Sequence, residues 1–507
     1  MSSNRDRAAD APPGDHHLTA APVDQATVRV IIGGIMLAMF LSALEQTIVA
    51  PALPTIGRSL SDVENLSWVV TAYLLSTTLA TTLFGKLSDI YGRRALMLIS
   101  ISVFVLGSIA CALAPTLWLL VAARTLQGLG GGGILPLAQT VIADILSPRE
   151  RPLVQSYSSV MFMSASILGP VLGGFLTDYV HWSMIFWINL PLGVAALLMT
   201  NRALKRLPRH ERPHRLDMVG AALMVGAAIA LLMALSWGGI RYTWGSPQVL
   251  GLVGVSALLW MLFVWRLMTA PEPFIPLSMV REPVVGAIVV AGFFGIGTII
   301  GLSIFMPLYI ELVLGQSASA AGVVLIAFMC GATIGSLLAG RLLSRLHRYK
   351  RVPMVGLPVG VAMLTIFAIW PDRFSVAGVA ALLLFGGVGM GTMYPTTTVL
   401  IQNAVLPHQL GTATGTLNFF RQLGGALVVA VFGAIVLGGF DVHASGTLVL
   451  QRLSAAGGSA DFALAFRWVF IVGAGFLGAA FLAVLCIVER PLRGPATRAQ
   501  PAPAAAE

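Results

Sequence analysis

Apolar stretches of about 18 to 26 residues recur along the whole chain and are separated by short polar segments. Each stretch is long enough to cross a hydrocarbon core of about 30 Å at about 1.5 Å per residue. The pattern therefore predicts fourteen membrane-spanning helices. Their predicted limits are 30–50, 66–84, 95–114, 117–142, 154–177, 183–201, 218–236, 248–265, 285–310, 320–340, 353–370, 375–400, 411–437 and 468–488.

Helices rather than strands are expected because a lipid-facing backbone must satisfy its hydrogen bonds within the segment, and strand-length alternation is absent. The predicted fold class is an all-α polytopic membrane protein. The ends, residues 1–29 and 489–507, are rich in Ala, Pro and Arg, which predicts disordered tails. The first is too long and too polar to begin a cleavable signal, so the first span is expected to be retained.

Composition excludes the other broad classes. Only 10% of the residues are charged and 57% are hydrophobic, which rules out an ordinary soluble domain and a disordered chain. The three cysteines, Cys111, Cys330 and Cys486, all fall in apolar runs, where a thiol usually serves as a small packing group.

The net charge of +10 records the orientation of the chain in the membrane. If the amino terminus is inside, the predicted cytoplasmic segments hold 24 of the 31 Lys and Arg residues. Positively charged short loops stay cytoplasmic, so we predict that both termini are cytoplasmic. Because the basic residues lie in these short loops, they do not indicate a nucleic-acid partner.

An internal repeat relates the fourth and twelfth predicted spans at a constant offset of 259 residues. The matched positions are Gly128, Gly130, Gly132 and Pro136, against Gly387, Gly389, Gly391 and Pro395. Two six-helix bundles in the same orientation, residues 30–203 and 285–488, account for the match. Residues 204–284 then hold a cytoplasmic loop and inserted helices seven and eight. Chance matching of glycine-rich helices is the alternative.

Three charged side chains lie well inside the predicted spans: Glu45, Arg124 and Arg421. Charges in lipid cost a few kcal/mol each, so they are functional candidates. Counted along the helices, Glu45 lies about 8 Å and Arg124 about 10 Å from the outer end. We predict that they act together in proton coupling, with Glu45 as the proton site. A static ion pair that holds two helices together is the alternative.

Two backbone motifs predict moving parts. Between spans two and three, Gly85, Asp89, Gly92, Arg93 and Arg94 place an acid and bases on a tight turn. Such groups can bridge helix ends in one conformation and separate in another, which predicts a cytoplasmic gate. Topology-setting positive charge is the alternative.

The fifth span contains the second motif. Gly169, Pro170, Gly173 and Gly174 remove a backbone hydrogen bond and permit close helix approach, so we predict a bend or hinge. Close packing without motion is the alternative.

Several side chains could line a central cavity whose apolar wall carries few polar groups and suits amphipathic ligands. The candidates are Tyr73, Gln127, Trp187, Asn189, Glu311, Asn418, Phe419 and Arg421. For each of them, core packing or an interfacial position is the alternative. Cys/His metal spacing, a phosphate-binding GxxxxGK[ST] and a nucleophile elbow are missing, so neither a cofactor nor an enzymatic activity is predicted.

These motifs resemble those of the major facilitator superfamily, in particular its fourteen-span drug:proton antiporters of the EmrB/QacA type. The matching segments are Leu44 to Pro54, Gly85 to Arg94, Arg124 to Gly131, Gly169 to Gly174, Phe186 to Pro191, Tyr309 to Ser317 and Gly411 to Gly425. In that family the second segment is the gating motif, the third is associated with proton coupling, and the fourth with antiport.

Three departures from the family pattern matter. Glu45 stands where the family usually has Asp, and Glu311 where many relatives have Gln. In the second half, Ser344 and His347 stand where the first-half gating motif has Asp89 and Gly92, so that latch should be weaker.

The resemblance implies a proton-coupled multidrug exporter in the cytoplasmic membrane that uses alternating access. Its partners would be protons, small amphipathic substrates and the lipid bilayer, with no cofactor beyond the proton gradient. Substrate charge and a periplasmic adaptor are left open. The alternatives are a dedicated exporter of an endogenous metabolite, siderophore or lipid, a proton symporter for uptake, and a non-transporting membrane sensor.

Overall fold

The computed structural model describes residues 25–62, 65–204, 217–239, 241–346, 349–438 and 459–489. The helices in these ranges are α1 (Gln25–Ile48), α2 (Leu53–Ser59), α3 (Ser67–Tyr91), α4 (Arg93–Ala112), α5 (Leu117–Ile145), α6 (Arg151–Tyr179), α7 (Met184–Trp187), α8 (Asn189–Leu204), α9 (Met218–Trp237), α10 (Pro247–Thr269), α11 (Leu277–Val280), α12 (Pro283–Leu312), α13 (Ala318–Arg345), α14 (Arg351–Ile369), α15 (Val376–Gly391), α16 (Met393–Ala404), α17 (Leu410–Gly438) and α18 (Ser459–Cys486).

The helices confirm the predicted all-α membrane architecture. In the described part of the chain, thirteen segments are long and apolar enough to cross a membrane, and three of them are formed by two consecutive helices: α1 with α2, α7 with α8, and α15 with α16. Helix α5 is not among these thirteen; it is 29 residues long and contains Arg124, Gln127 and a run of four glycines. Counted with α5, the spans match the fourteen that the sequence predicts.

Four predicted limits differ from the structure by five residues or more: α3 continues to Tyr91 rather than 84, α13 continues to Arg345 rather than 340, and two helices begin early. Helix α1 begins at Gln25, inside the predicted tail 1–29, and α18 begins at Ser459, well before the predicted limit of 468. Polar residues such as Arg29 and Asp461 lie in the first turns of these helices and fall outside an apolar window. A helix can nevertheless extend into the interfacial region of the membrane, where charged side chains reach water. The remainder of both predicted tails, 1–24 and 490–507, lies outside the described residues, as does loop segment 205–216.

The spans form two bundles with an inserted helix pair. Buried residues of α1, α3, α4, α5, α6 and α8 make up the cores of the first bundle. Buried residues of α12 to α18 make up most of the second core. Helices α9 and α10 pack against each other, and α9 also packs against α3 and α17. The inserted pair therefore sits at one seam between the bundles.

The glycine repeat corresponds to equivalent packing in the two bundles. Alternate glycines of α5 lie against the backbones of α3 and α4 in turn, and those of α15 lie in the same way against α13 and α14. The positions are Gly128, Gly130 and Gly132 in α5, and Gly387, Gly389 and Gly391 in α15. Any Cβ there would collide with a neighbouring backbone, so these glycines set how closely the helices approach.

The two bundles are joined on one side of the membrane, which we call the Asp89 side; the opposite side is the Glu45 side. Thr78 of α3 donates to Gln422 of α17 at 2.9 Å, near the middle of the membrane. Ser159 of α6 donates to Ser336 of α13 at 2.8 Å, closer to the Asp89 side. In the described ranges, hydrogen bonds between the bundles run from the membrane centre to the Asp89 side. The structure is therefore closed on that side.

Candidate functional site

Glu45 and Arg124, predicted to lie at matching depth, form a buried ion pair. One Nη of Arg124 on α5 donates to Oε1 of Glu45 on α1. The side chain of Glu45 is fully buried and that of Arg124 is 2% exposed. The other carboxylate oxygen of Glu45 accepts a hydrogen bond from Nδ2 of Asn189 on α8 at 2.5 Å. Three helices thus meet at one carboxylate.

Polar side chains hold this pair in place. Gln127, one turn after Arg124, accepts from the guanidinium at 2.7 Å and donates to the hydroxyl of Ser108 on α4 at 2.8 Å. The Nε of Arg124 donates to the backbone carbonyl of Val69 on α3 at 3.2 Å. Each group is fixed by a neighbour on another helix, so a change in charge at the carboxylate must alter contacts on several helices.

Aromatic rings close the pair off from its surroundings. The guanidinium carbon of Arg124 lies 4.1 Å from the centroid of the Tyr73 ring and 5.8 Å from that of Phe186. Both rings are buried, and the cation over the Tyr73 face gains cation–π stabilisation. The Tyr73 hydroxyl and the Asn189 amide oxygen are buried with no hydrogen-bond partner. The predicted cavity candidates Tyr73, Gln127 and Asn189 therefore belong to the immediate surroundings of the ion pair.

The predicted gate residues connect the two bundles. Asp89, near the end of α3, accepts hydrogen bonds from the backbone N–H groups of Gly411 and Thr412, at 3.0 and 2.7 Å. It also accepts from the Thr412 hydroxyl at 2.7 Å. These donors belong to the first turn of α17, where unpaired N–H groups and the helix dipole favour a carboxylate. We call this contact the Asp89 latch.

The arginines of the gate motif hold the latch from the first bundle. Arg93 contacts Asp89 at 2.5 Å and Asp144, at the end of α5, at 3.0 Å. Arg94 donates to Asn201 on α8 at 2.7 Å. Arg93 thereby fixes the carboxylate of Asp89 relative to α5, the helix that carries Arg124.

The gate glycines have separate roles. Gly85 lies directly against the backbone of Gly411 and Gly415, so α3 and α17 touch without intervening side chains. Gly92 has φ of 89°, in the region that only glycine adopts without strain, and makes the turn between α3 and α4. In the second half, Ser344 bonds only to its own helix at the carbonyl of Arg341, and His347 lies outside the described residues.

The fifth-span motif lies against α1. Helix α6 is continuous through Pro170. A Cβ at Gly169 would collide with Thr47 and one at Gly173 with the carbonyl of Ile48, whereas Gly174 faces open space. The motif thus provides close packing of α6 on α1, two residues beyond Glu45, and its motion stays a prediction.

Arg421 lies in a second polar cluster, near the membrane centre of the second bundle. It donates to Asn418 on its own helix and to the hydroxyls of Thr397 and Thr398 on α16, at 3.1, 2.5 and 2.9 Å. Its guanidinium carbon lies 4.6 Å from the Tyr394 ring centroid. Asn418 and Arg421, predicted as cavity candidates, are therefore in direct contact.

Gln139 of α5 joins this cluster to the first bundle, a role the sequence analysis missed. Its Oε1 accepts from Asn418 at 2.6 Å and its Nε2 donates to the Tyr394 hydroxyl at 3.1 Å. Gln155 and Gln402 both donate to the Gln139 carbonyl at 3.2 Å. The signal available in the sequence is a glutamine inside an apolar span, on the same helix as Arg124.

Three of the cavity candidates are not part of either cluster. The Phe419 ring is buried against Leu232 and Trp260 of the inserted helices, with 6.4 Å between the ring centroids of Phe419 and Trp260, and its cavity role stays a prediction. Glu311 is exposed at the end of α12, where water can solvate it. Trp187 is half-buried at the end of α7.

Comparisons with known proteins agree with this arrangement. The family model of the Major Facilitator Superfamily matches residues 35–217 and 203–429. An uncharacterised MFS-type transporter of Mycobacterium tuberculosis is 34% identical over 414 residues, which cover 82% of this chain. The chain spans only 60% of the length of that relative. Multidrug resistance protein 3 of Bacillus subtilis is 31% identical over 437 residues, covering 86% of this chain and 85% of the relative.

Solved structures share the fold. A bacterial homologue of the iron transporter ferroportin, in an outward-facing state, has a TM-score of 0.62 at 12% identity and covers 90% of this chain and 98% of its own. The proton:xylose symporter XylE has a TM-score of 0.60 at 14% identity, and the match covers 92% of this chain and 98% of the XylE chain. At such identities the likeness concerns the fold alone. The family match shows that the chain belongs to the major facilitator superfamily, as its motifs predict, and its apolar helices make it a multi-pass protein of the cell membrane.

Proposed function

We propose that the chain is a proton-coupled exporter of amphipathic compounds and that Glu45 carries the proton. The observation that supports this most directly is the buried pair of Glu45 and Arg124. It lies entirely within the first bundle and is bonded to polar groups of α3, α5 and α8. A carboxylate is the group that can gain and lose a proton in this position without any cofactor.

Protonation of Glu45 changes the energy of the pair. The neutral acid no longer balances the charge of Arg124, and an unbalanced buried cation costs several kcal/mol. Arg124 therefore has to move toward a new partner or toward water. Because Arg124 contacts α3 through Val69 and Tyr73, that movement is transmitted to a second helix.

Two helices connect the ion pair to the contacts between the bundles. Helix α5 carries Arg124 and, further along, Gln139, which bonds to the second bundle. Helix α3 carries Tyr73 and, at its end, Asp89, which bonds to α17. A shift of either helix at the ion pair therefore reaches a contact that holds the bundles together.

Export is the direction that we propose, and the state of the latch fits one step of that cycle. With the Asp89 side predicted to be cytoplasmic, the structure corresponds to a conformation closed toward the cytoplasm. Protons from outside would then reach Glu45, and its protonation would favour opening of the Asp89 latch toward substrate in the cytoplasm. Two relatives support export: one is named as a multidrug resistance protein and the other as an MFS-type efflux pump of a Fusarium species.

Proton coupling is tested in proteoliposomes that contain the purified protein and an internal pH-sensitive dye. Ethidium and chemically unrelated neutral and anionic amphiphiles are added in turn across an imposed proton gradient. We expect each transported compound to evoke proton movement, and Glu45→Gln to reduce that movement to the rate of empty liposomes. The isosteric amide still accepts the hydrogen bond from Asn189, so the variant should remain folded. Size-exclusion chromatography checks this.

Glu150→Gln is the matched control, because it makes the same substitution at an exposed carboxyl at the start of α6, outside every predicted site. It should retain proton movement. Proton movement of unchanged size in folded Glu45→Gln protein would refute the role of Glu45. Movement evoked by one compound class alone would favour a dedicated cargo.

A further inference from the structure

Arg421 is a buried cation without a counter-charge. Its side chain is 3% exposed, and it lies near the middle of α17. The acceptors around it are all neutral: the carbonyl of Tyr394, the hydroxyls of Thr397 and Thr398, and the amide oxygen of Asn418. Its Nε is buried with no hydrogen-bond partner.

The described helices offer no carboxylate to balance it. Away from the helix ends, Glu45 is the acidic residue in the described spans, and it pairs with Arg124. The Nε edge of Arg421 faces Gly292 on α12, where even an added Cβ would stand 3.7 Å away. A side chain that could supply an anion is therefore missing on that face as well.

We propose that the missing counter-charge is an oxyanion of the transported compound, and that Arg421 binds the carboxylate of amphipathic organic anions. This inference rests on the proposed function. A guanidinium offers parallel N–H donors that match the two oxygens of a carboxylate. Arg124 shows the same chemistry within the chain, where the carboxylate belongs to Glu45.

The groups that cover Arg421 are held by the other bundle. Gln139 of α5 bonds to both Asn418 and the Tyr394 hydroxyl, while the Tyr394 ring covers the guanidinium. The ring of Phe162 on α6 also lies against Tyr394, with centroids 6.5 Å apart. Parting of the bundles on the Asp89 side breaks both bonds to Gln139.

Release of Asn418 and Tyr394 would uncover the guanidinium for a carboxylate arriving from the Asp89 side. When the bundles close, Gln139 returns both groups to Arg421 and their neutral acceptors displace the anion. The same contact thus binds an anion in one conformation and expels it in the other, which is the change in affinity that export requires.

The test compares two probes that differ in charge alone. Binding of dansyl-leucine, which has a carboxylate, and of dansyl-leucinamide, which is neutral, is measured by dansyl fluorescence on purified protein. Two further dansyl amino acids of different size are measured with their amides. We expect the wild type to bind the carboxylates at least about tenfold more tightly than the amides, as hydrogen bonds to a charged group imply.

Arg421→Gln should abolish this preference while leaving amide binding unchanged. Arg421→Lys keeps the charge but loses the parallel N–H donors of the guanidinium, so it should retain part of the carboxylate preference. This variant replaces Arg421→Gln in the test if the glutamine variant does not fold. Arg58→Gln is the control, because Arg58 is exposed on the Glu45 side. Equal binding of carboxylates and amides by the wild type, or a full preference in folded Arg421→Gln, overturns the proposal.

The outcome is separable from that of the proposed function. Proton movement evoked by neutral amphiphiles, without any carboxylate preference, would support proton-coupled export and refute the anion site. A carboxylate preference that depends on Arg421, without proton movement for any compound, would support the anion site and refute proton coupling.

Discussion

Removal of the charge at Asp89 should open the structure on the Asp89 side. In Asp89→Asn, one carboxylate oxygen becomes an NH₂ group. The carboxylate accepts from Gly411 through one oxygen and from Thr412 through the other. The amide oxygen can serve Thr412, but the NH₂ group then faces the N–H of Gly411, donor against donor. The contact of Asp89 with Arg93 lies within one bundle, so its loss affects both conformations.

The size of the effect follows from the bonds that cross between the bundles. Hydrogen bonds to a charged group contribute about 1.5–3 kcal/mol and neutral ones about 0.5–1.5 kcal/mol. A negative charge at a helix N-terminus adds about 0.3–1 kcal/mol. Asp89 is 7% exposed, so water screens these terms little. Loss of one bond and of the charge should destabilise the closed state by about 2 kcal/mol, a roughly 30-fold change in the open-to-closed ratio.

Spin labels at Arg149→Cys and Arg345→Cys report on this change, because both positions are exposed on the Asp89 side, one in each bundle. Cys330 and Cys486 are replaced by alanine, while buried Cys111 can stay. Pulsed electron–electron double resonance should show a longer-distance component in Asp89→Asn.

Asp178→Asn, an exposed aspartate at the far end of α6, is the matched control and should leave the distance distribution as in the wild type. An unchanged distribution in Asp89→Asn would show that the hydrogen bonds of the Asp89 latch do not set the balance between conformations. That result would refute the energetic reasoning, whatever the transport activity of the variant.

Two further predictions use the same preparations. Gln422→Leu removes neutral hydrogen bonds to α3 and should open the Asp89 side less than Asp89→Asn does, by about 1 kcal/mol, on the same spin labels. Gly132→Val should lower the thermal unfolding temperature, with overpacking worth about 1–3 kcal/mol, because its side chain would collide with the backbone of α3. Gly174→Val, which faces open space, should leave the unfolding temperature unchanged.

The features predictable from sequence are those that a single helix encodes. Span length and hydropathy predict the membrane helices, and the glycine spacing of α5 and α15 predicts equivalent packing. The position of Glu45 and Arg124 along their helices is enough to predict that they lie together, because two buried charges of opposite sign at the same depth have few other partners.

The features that escaped prediction depend on which helix lies beside which. Asp89 bonds to α17, more than three hundred residues away along the chain, and no local pattern selects that partner. Gln139 appears in sequence as one polar residue in a long span, yet it contacts Asn418 and Tyr394 of the other bundle. Phe419 packs on the inserted helices while the adjacent Asn418 contacts Gln139, since neighbouring residues on a helix point in different directions.

The two buried arginines differ in a way that suits coupled transport. Arg124 has a counter-charge that a proton can remove, and the pair lies within one bundle. Arg421 has none, and two of its neutral neighbours, Asn418 and Tyr394, are held by Gln139 of the other bundle. Helix α5 contacts both, through Arg124 itself and through Gln139. A proton at Glu45 and an anion at Arg421 would therefore act on the same helix from two levels. Because both ligands act on α5, their binding should be linked without any direct contact.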